Sequence, residues 1–240
     1  MAIHVVSFSG GKDSTAMLLL MIENKMPIDR IVFADTTKEY PDLYKHFEKV
    51  SEYIKPYGLK IETVNIDFDY WFYRHVKVKG KNKGKCGYGW PTPLIRWCTS
   101  LKRNTIKKFV RSFSTEIIEY HGIALDEPER VNKDPKRDIR YPLIDFGFTE
   151  KDALQYCFDK GFDWNGMYNH MSRVSCYCCP LASLRNLRSI RKYYPDLWKK
   201  MLDMDKLTET RFKLNYSVAD LDKKFRIEDE NKQLSLSFEG

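Results

Sequence analysis

The 240-residue sequence predicts an α/β fold, a doubly wound parallel sheet followed by a mostly helical C-terminal region. Three observations carry this reading. Short β-branched and aromatic runs alternate with helical patterns, a glycine-containing turn joins the first run to the first helix, and the chain reads as helix from "TEKDALQYCFDKG" onward. The expected division is an α/β domain over residues 1–150 and a helical region over residues 151–240 that carries a group of cysteines.

The elements follow in order. "IHVVSF" is apolar and β-branched enough for a buried parallel strand, and "TAMLLLMIEN" has the composition of a buried helix. "DRIVFADT" reads as a second strand, "PDLYKHFEKVSEYIKPY" as an amphipathic helix and "KIETVNID" as a third strand. Residues 77–93, rich in Gly, Lys and Pro, form a loop. "IRWCTSLKRNTIKKFVRSF" returns to helical spacing with a basic face, and "EIIEYHGIAL" is a further strand. "DEPERVNKDPKRDIR" is polar and broken by proline, and the tail from residue 222 is charged, weakly patterned and peripheral.

Apolar residues make up 42% and aromatic residues 14% of the chain, enough for a sizeable core. No apolar run reaches membrane-spanning length, and the start lacks a basic segment ahead of an apolar core, so a cytoplasmic protein without membrane contact is expected. The formal charge of +8 permits an acidic partner such as nucleic acid or a polyphosphate without establishing one.

"SGGKDS" (residues 9–14) lies between the first strand and the first helix. A helix start offers free N–H groups and the positive end of the dipole, which favour an anion. Gly10 and Gly11 let the backbone come close to it, Ser9, Ser14 and Thr15 offer hydroxyls, and Lys12 adds charge. The loop therefore suits a phosphate, although its spacing is not that of a Walker A loop.

This stretch resembles the S-G-G-x-D-S pyrophosphate loop of the adenine nucleotide α-hydrolase-like superfamily, the N-type ATP pyrophosphatases, through Ser9, Gly10, Gly11, Asp13 and Ser14. "ADTTKEYPDLYKHFEKV" is similar to the D-T-G-x-E segment of the superfamily's PAPS reductase-like branch. Asp35, Thr36 and Glu39 match there, and Thr37 stands where the branch has glycine. "HGIALDEPER" resembles G-I-R-x-D-E-S-x-x-R through Gly122, Asp126, Glu127 and Arg130, with Ala124 in place of the arginine; Pro142, Leu143 and Asp145 match a later stretch. The resemblance implies a Rossmann-like fold that binds ATP, or a related adenine nucleotide, with Mg²⁺. Ser9 to Ser14, Asp35, Thr36, Gly122, Asp126 and Glu127 would line the nucleotide. Lys12, Asp13 and Arg130 would be the catalytic groups, Asp13 holding the metal or orienting the pyrophosphate and the two cations stabilising leaving charge. All these segments follow expected strands, where ligands of doubly wound sheets bind.

Cys176 and Cys179 form a C-x-x-C pair followed by Pro180, a spacing that lets two thiolates reach one metal. "WCTSLKRNTIKKF" resembles a cysteine-bearing helix of the same branch that joins a later C-x-x-C around a [4Fe–4S] cluster. The resemblance thus adds Cys98, with the fourth ligand coming from Cys86 or Cys178 or missing, in which case one iron is open to substrate or sulfide. Zinc and buried free thiols are the alternatives; Cys157, at helical spacing among apolar residues, reads as core.

Lys77, Lys79, Lys81, Lys83 and Lys85 precede Cys86, and Lys102, Arg103, Lys107, Lys108 and Arg111 follow Cys98. Interleaved with Tyr88, Trp90 and Trp97, such cations neutralise phosphates while the rings stack bases; a solvated loop is the plainer reading. The resemblance implies an ATP-dependent adenylating enzyme, a sulfurtransferase acting on tRNA or DNA, with a cysteine desulfurase or another sulfur donor as partner. A divergent PAPS or APS reductase is the first alternative, although no cysteine follows Cys179 to serve as its nucleophile. A nucleotide-sensing or nucleic-acid-binding module without turnover is the second.

Overall fold

β-branched runs flanked by helices give a parallel sheet when each crossover covers one face with apolar side chains. The computed structural model describes residues 2–113, 116–131 and 137–238, the last seven through their backbone alone. Five strands form one parallel sheet: β1 (Ile3–Ser7), β2 (Arg30–Asp35), β3 (Ile61–Asn65), β4 (Ile117–His121) and β5 (Asp138–Arg140), in spatial order β3-β2-β1-β4-β5. The expected α/β doubly wound class is the observed one.

The chain divides into two compact units. The first comprises residues 1–66, 101–169 and 173–175, the second residues 67–100, 170–172 and 176–240. This differs from a boundary at residue 150. Helices α4 (Pro142–Asp145) and α5 (Glu150–Asp159) belong with the sheet because they pack on α1 (Lys12–Glu23), while residues 67–100 join the later helices.

In the first unit α1 is buried along nearly its whole length, from Lys12 to Ile22. That explains its apolar residues on most faces. Val5, Val32 and Val110 form a core cluster with Ile3, Val64, Ile106, Phe109 and Ile117 packed on it, so α3 (Trp97–Arg111) lays its apolar side on the sheet. Thr149 caps α5, accepting the Asp152 N–H at 3.2 Å while Asp152 Oδ2 accepts the Thr149 N–H at 3.0 Å. Helix α2 (Pro41–Ile54) buries His46, which bonds Thr15 Oγ1 at 3.0 Å and stacks on Trp164. Burial holds the His46 imidazole near a pKa of about 3, so it is neutral at physiological pH.

Strand β5 lies within the stretch read from sequence as polar and broken. It has one apolar residue, Ile139, between Asp138 and Arg140, and forms by pairing with β4. Residues 132–136 of that stretch lie outside the described residues.

The second unit is built on aromatic residues. Trp90 (1% exposed) donates Nε1–H to Asp205 Oδ1 at 2.9 Å, and Trp97 (7%) donates to the Gly89 carbonyl at 3.1 Å. Phe68, Phe72 and Phe212 pack on these indoles. Trp90 and Trp97 are thus core residues and do not face bases; each found an internal acceptor for its indole N–H. Helices α6 (Leu184–Tyr193), α7 (Pro195–Lys206) and α8 (Val218–Phe238) complete the unit. The tail is therefore helical as far as Phe238, anchored through Val218, Leu221 and Phe225. Among the described residues no helix is long and apolar enough to cross a membrane.

Candidate functional site

The strand order reverses at β1 and β4, which lie side by side in parallel with Ser7 opposite His121. The loops leaving their carboxyl ends are residues 8–11 and 122–130, and at such a switch point a doubly wound sheet opens a crevice.

The first loop is closed on itself. Ser9 and Ser14 bring their hydroxyls to 3.0 Å, the Ser9 N–H donates to Ser14 Oγ at 3.2 Å, and Ser14 Oγ donates to the Gly11 carbonyl at 3.0 Å. Gly11 is the residue before α1, and the first helical N–H, that of Lys12, donates to the Tyr168 hydroxyl at 3.0 Å. A phosphate at this helix start competes with that phenol for the Lys12 N–H.

The two loop glycines serve different ends. Gly10 has φ +75°, and a Cβ there would lie 2.6 Å from Phe47; its carbonyl accepts Trp164 Nε1–H at 2.7 Å. Its freedom is consumed by the protein's own packing. At Gly11 an added Cβ meets nothing closer than 3.6 Å, so this is the glycine whose open face suits an anion.

Gly122, following β4, packs against the start of α1. A Cβ there would lie 2.8 Å from Ser14 N and 2.9 Å from the Asp13 carbonyl carbon and oxygen. Gly122 is thereby a close-approach residue between two backbones.

Behind the loop stands a charged cluster. Lys12 is buried, and its Nζ donates to Asp13 at 3.0 and 3.1 Å and to Glu150 Oε1 at 2.6 Å. Arg130 pairs with Glu127. Carboxylate oxygens of Asp13, Glu127 and Glu150 all lie within 4.8 Å of one another. Burial pushes the Asp13 carboxyl above the usual aspartate range against the pull of Lys12, and Glu150 and Glu127 push the same way. Three hard oxygen donors at this spacing fit Mg²⁺, which takes few protein carboxylates and completes its shell with water or phosphate oxygens. Sequence reading had no local signal for Glu150: it lies 138 positions from Lys12 and only the packing of α5 on α1 delivers it. Tyr168 and Trp164 were likewise invisible.

Other expected residues are held by contacts within the protein. Asp126 Oδ1 accepts the Glu150 N–H at 2.9 Å, so it fixes the start of α5. Asp35 Oδ1 accepts the Thr37 N–H at 2.7 Å and the Tyr44 hydroxyl at 2.9 Å. Thr36 Oγ1 donates to buried Glu39 at 3.0 Å, and Lys102 Nζ reaches the same carboxylate oxygen at 3.0 Å. These form a second polar network, at the carboxyl end of β2. Ala124, in place of the arginine of the resembling motif, is fully buried.

Thr37 adopts φ +60°, the left-handed conformation that suits the glycine of that motif. A β-branched residue there costs about 1–2 kcal/mol. Thr37→Gly is therefore expected to stabilise the protein by about 0.5–1 kcal/mol after the entropy of the added glycine is set against the strain relieved. Urea unfolding measures it, and a destabilised variant would contradict the strain.

The cysteines of interest all lie in the second unit. Cys98, Cys176 and Cys179 are half-buried, Cys178 is buried and Cys86 is exposed. Lys213 Nζ donates to the Pro180 and Ala182 carbonyls at 2.7 Å and feels the Cys179 thiol beside it. Among the described residues no three thiols lie within 4.8 Å of one another, whereas zinc–thiolate bonds of about 2.3 Å hold their sulfurs about 3.8 Å apart. Soft thiols on a C-x-x-C turn suit zinc and an iron–sulfur cluster alike. Cys157 is buried, as expected of core, with its thiol 3.5 Å from the Lys12 carbonyl.

Residues 3–182, three quarters of the chain, match the model of the phosphoadenosine phosphosulfate reductase domain. The chain belongs to that family. This places it in the PAPS reductase-like branch expected from the loop and from the segments after β2 and β4. The uncharacterized protein MJ0066 of Methanocaldococcus jannaschii is 27% identical over 215 residues, covering 82% of this chain and 40% of the relative. A second uncharacterized protein of that organism is 27% identical over 217 residues, covering 82% of this chain and 46% of its own length. The chain thus spans less than half the length of these relatives. Among solved structures it is similar to the U34-tRNA thiolase NcsA of Methanococcus maripaludis with its [4Fe-4S] cluster. The TM-score is 0.47 and the identity 15%, over 85% of this chain and 67% of that one. The Candida glabrata FMN adenylyltransferase in complex with ATP is more distant, at TM-score 0.36 and 18% identity over 59% of this chain and 41% of that one.

Proposed function

We propose that this PAPS reductase-family chain is an ATP-dependent adenylating enzyme that cleaves ATP between the α- and β-phosphates and acts as a sulfurtransferase on nucleic acid. The observation that carries the reading is the Ser9–Ser14 loop at the start of α1, backed by Lys12, Arg130 and three convergent carboxylates. Asp13, Glu127 and Glu150 would hold Mg²⁺, which offsets phosphate charge. With a cation on those carboxylates, the Lys12 ammonium is released toward the phosphates. An acceptor oxygen attacks the α-phosphorus, the bond to the bridging oxygen breaks, and pyrophosphate leaves with its negative charge met by Lys12 and Arg130. Hydrosulfide then attacks the adenylated atom of the acceptor: the new bond to sulfur forms as the bond to the AMP oxygen breaks, the hydrosulfide proton is lost to solvent, and AMP departs with the acceptor's original oxygen. Cys98, Cys176 and Cys179 would hold an iron–sulfur cluster, whose chemistry when bound is to retain the incoming sulfur.

Radiolabelled ATP tests the reading. With sulfide supplied, AMP and pyrophosphate are expected in equal amounts, and only in the presence of tRNA or DNA. Glu150→Gln is expected to raise the Mg²⁺ concentration for half-maximal rate by about tenfold, equivalent to roughly 1.4 kcal/mol of lost binding. ADP and phosphate as products, or no cleavage with any nucleic acid, would refute adenylation. Sulfite release from PAPS with thioredoxin would point to a reductase instead.

A further inference from the structure

From Tyr70 to Thr115 the sequence contains no Asp or Glu and twelve Lys and Arg residues. The rest of the chain holds 29 basic and 33 acidic residues, so the whole positive excess of +8 originates in this one stretch. Within the second unit, its first part folds into an ordered arm. Val76 pairs with Cys86 in an antiparallel bridge, the Lys77 N–H donates to the Lys85 carbonyl at 3.0 Å, and the Gly84 N–H donates to the Lys77 carbonyl at 2.8 Å. The base is fixed by the Gly87, Tyr88 and Gly89 N–H groups, which donate to His75, Trp71 and Phe72 at 2.9, 2.9 and 3.1 Å. Trp71, His75 and Tyr88 stack there, with centroids 4.2 to 5.9 Å apart.

Lys85 is paired with Glu209 and Arg74 with Asp67. Lys77, Lys79, Lys81 and Lys83 make no ion pair within 4.0 Å among the described residues, although Lys77 lies in the field of the Glu209 that pairs with Lys85. Ammonium groups crowded on one short arm repel each other, a cost that a polyanion removes on binding. Residues 79–85 carry no apolar side chain, so the tip has nothing to insert into a lipid surface. A cluster of ammonium groups of this kind neutralises backbone phosphates and releases their counterions.

We propose that the arm from Val76 to Cys86 is a docking element for the sugar-phosphate backbone of a single-stranded or looped nucleic acid. This rests on the proposed function only in naming the acceptor class. Anisotropy of a labelled single-stranded RNA, its DNA counterpart and a duplex is measured without ATP across a salt series. The variants replace Lys77, Lys79, Lys81 and Lys83 together with Gln, or together with Arg. The Gln variant is expected to lower the slope of log K against log salt by about 3, since each single-strand phosphate contact contributes about 0.7. The Arg variant is expected to bind within a few-fold of the parent, ATP affinity is expected to be unchanged in both, and the melting temperature of the Gln variant is expected to equal or exceed the parent's. An unaltered slope in the Gln variant overturns the arm, and so does equally tight binding of anionic phospholipid vesicles. Neither result touches the adenylation reading, which is decided by pyrophosphate release. Preference for RNA over DNA, or the reverse, identifies the source of the backbone.

Discussion

Gly122→Ala is expected to lower stability by about 2–3 kcal/mol and to weaken ATP binding by at least about tenfold. The reason is geometric. Gly122 does not have a positive φ, so alanine suits its backbone conformation; the cost lies in what the methyl meets. Those neighbours are the Ser14 nitrogen and the Asp13 carbonyl group at 2.8 and 2.9 Å, backbone atoms that cannot rotate away as a side-chain end can. Either β4 retreats from β1, to which it is hydrogen-bonded, or the first turn of α1 moves. The second outcome displaces the groups expected to hold phosphate. At about 2–4 °C per kcal/mol for a chain of this size, melting should fall by roughly 5–10 °C. Thermal unfolding and calorimetric titration with ATP read both effects. A variant with parental melting temperature and affinity would show that the two backbones are not in contact.

Asp13→Asn is expected to separate stability from function: a melting temperature equal to or above the parent's, and pyrophosphate release lowered at least about 100-fold. Burial raises the Asp13 pKa, so at neutral pH its ionised form is held at a cost to the folded state. The sign follows from a folded pKa above the unfolded one. Stability increases as pH falls through the raised folded value toward the ordinary aspartate value, and the uncharged amide has that benefit at every pH. Lys12 keeps Glu150 as its partner. Metal binding has the opposite sign, since it needs the carboxylate. Circular dichroism melts across pH, set beside initial rates, test both halves; a large destabilisation of the amide variant would remove the argument.

Much of this protein was legible before folding. Strand and helix periods, a serine–glycine loop between them and the ordered motifs after β2 and β4 depend on residues close together in the chain, and local chemistry of that kind writes itself into sequence. So the sequence by itself determined the α/β class, the phosphate-type loop and the acidic and basic groups after β4. Tertiary structure alone decided which partners complete them. Glu150 reaches Lys12 because α5 packs on α1, Tyr168 covers the first N–H of α1, and Gly10 is spent on Phe47 and Trp164. It also withdrew Trp90 and Trp97 into the core, and paired Asp138–Arg140 as a strand whose side chains alone gave no sign of one. The physical reason is common to all of these: each depends on how separate elements pack or pair, and packing leaves no mark on the short stretch of chain at either end.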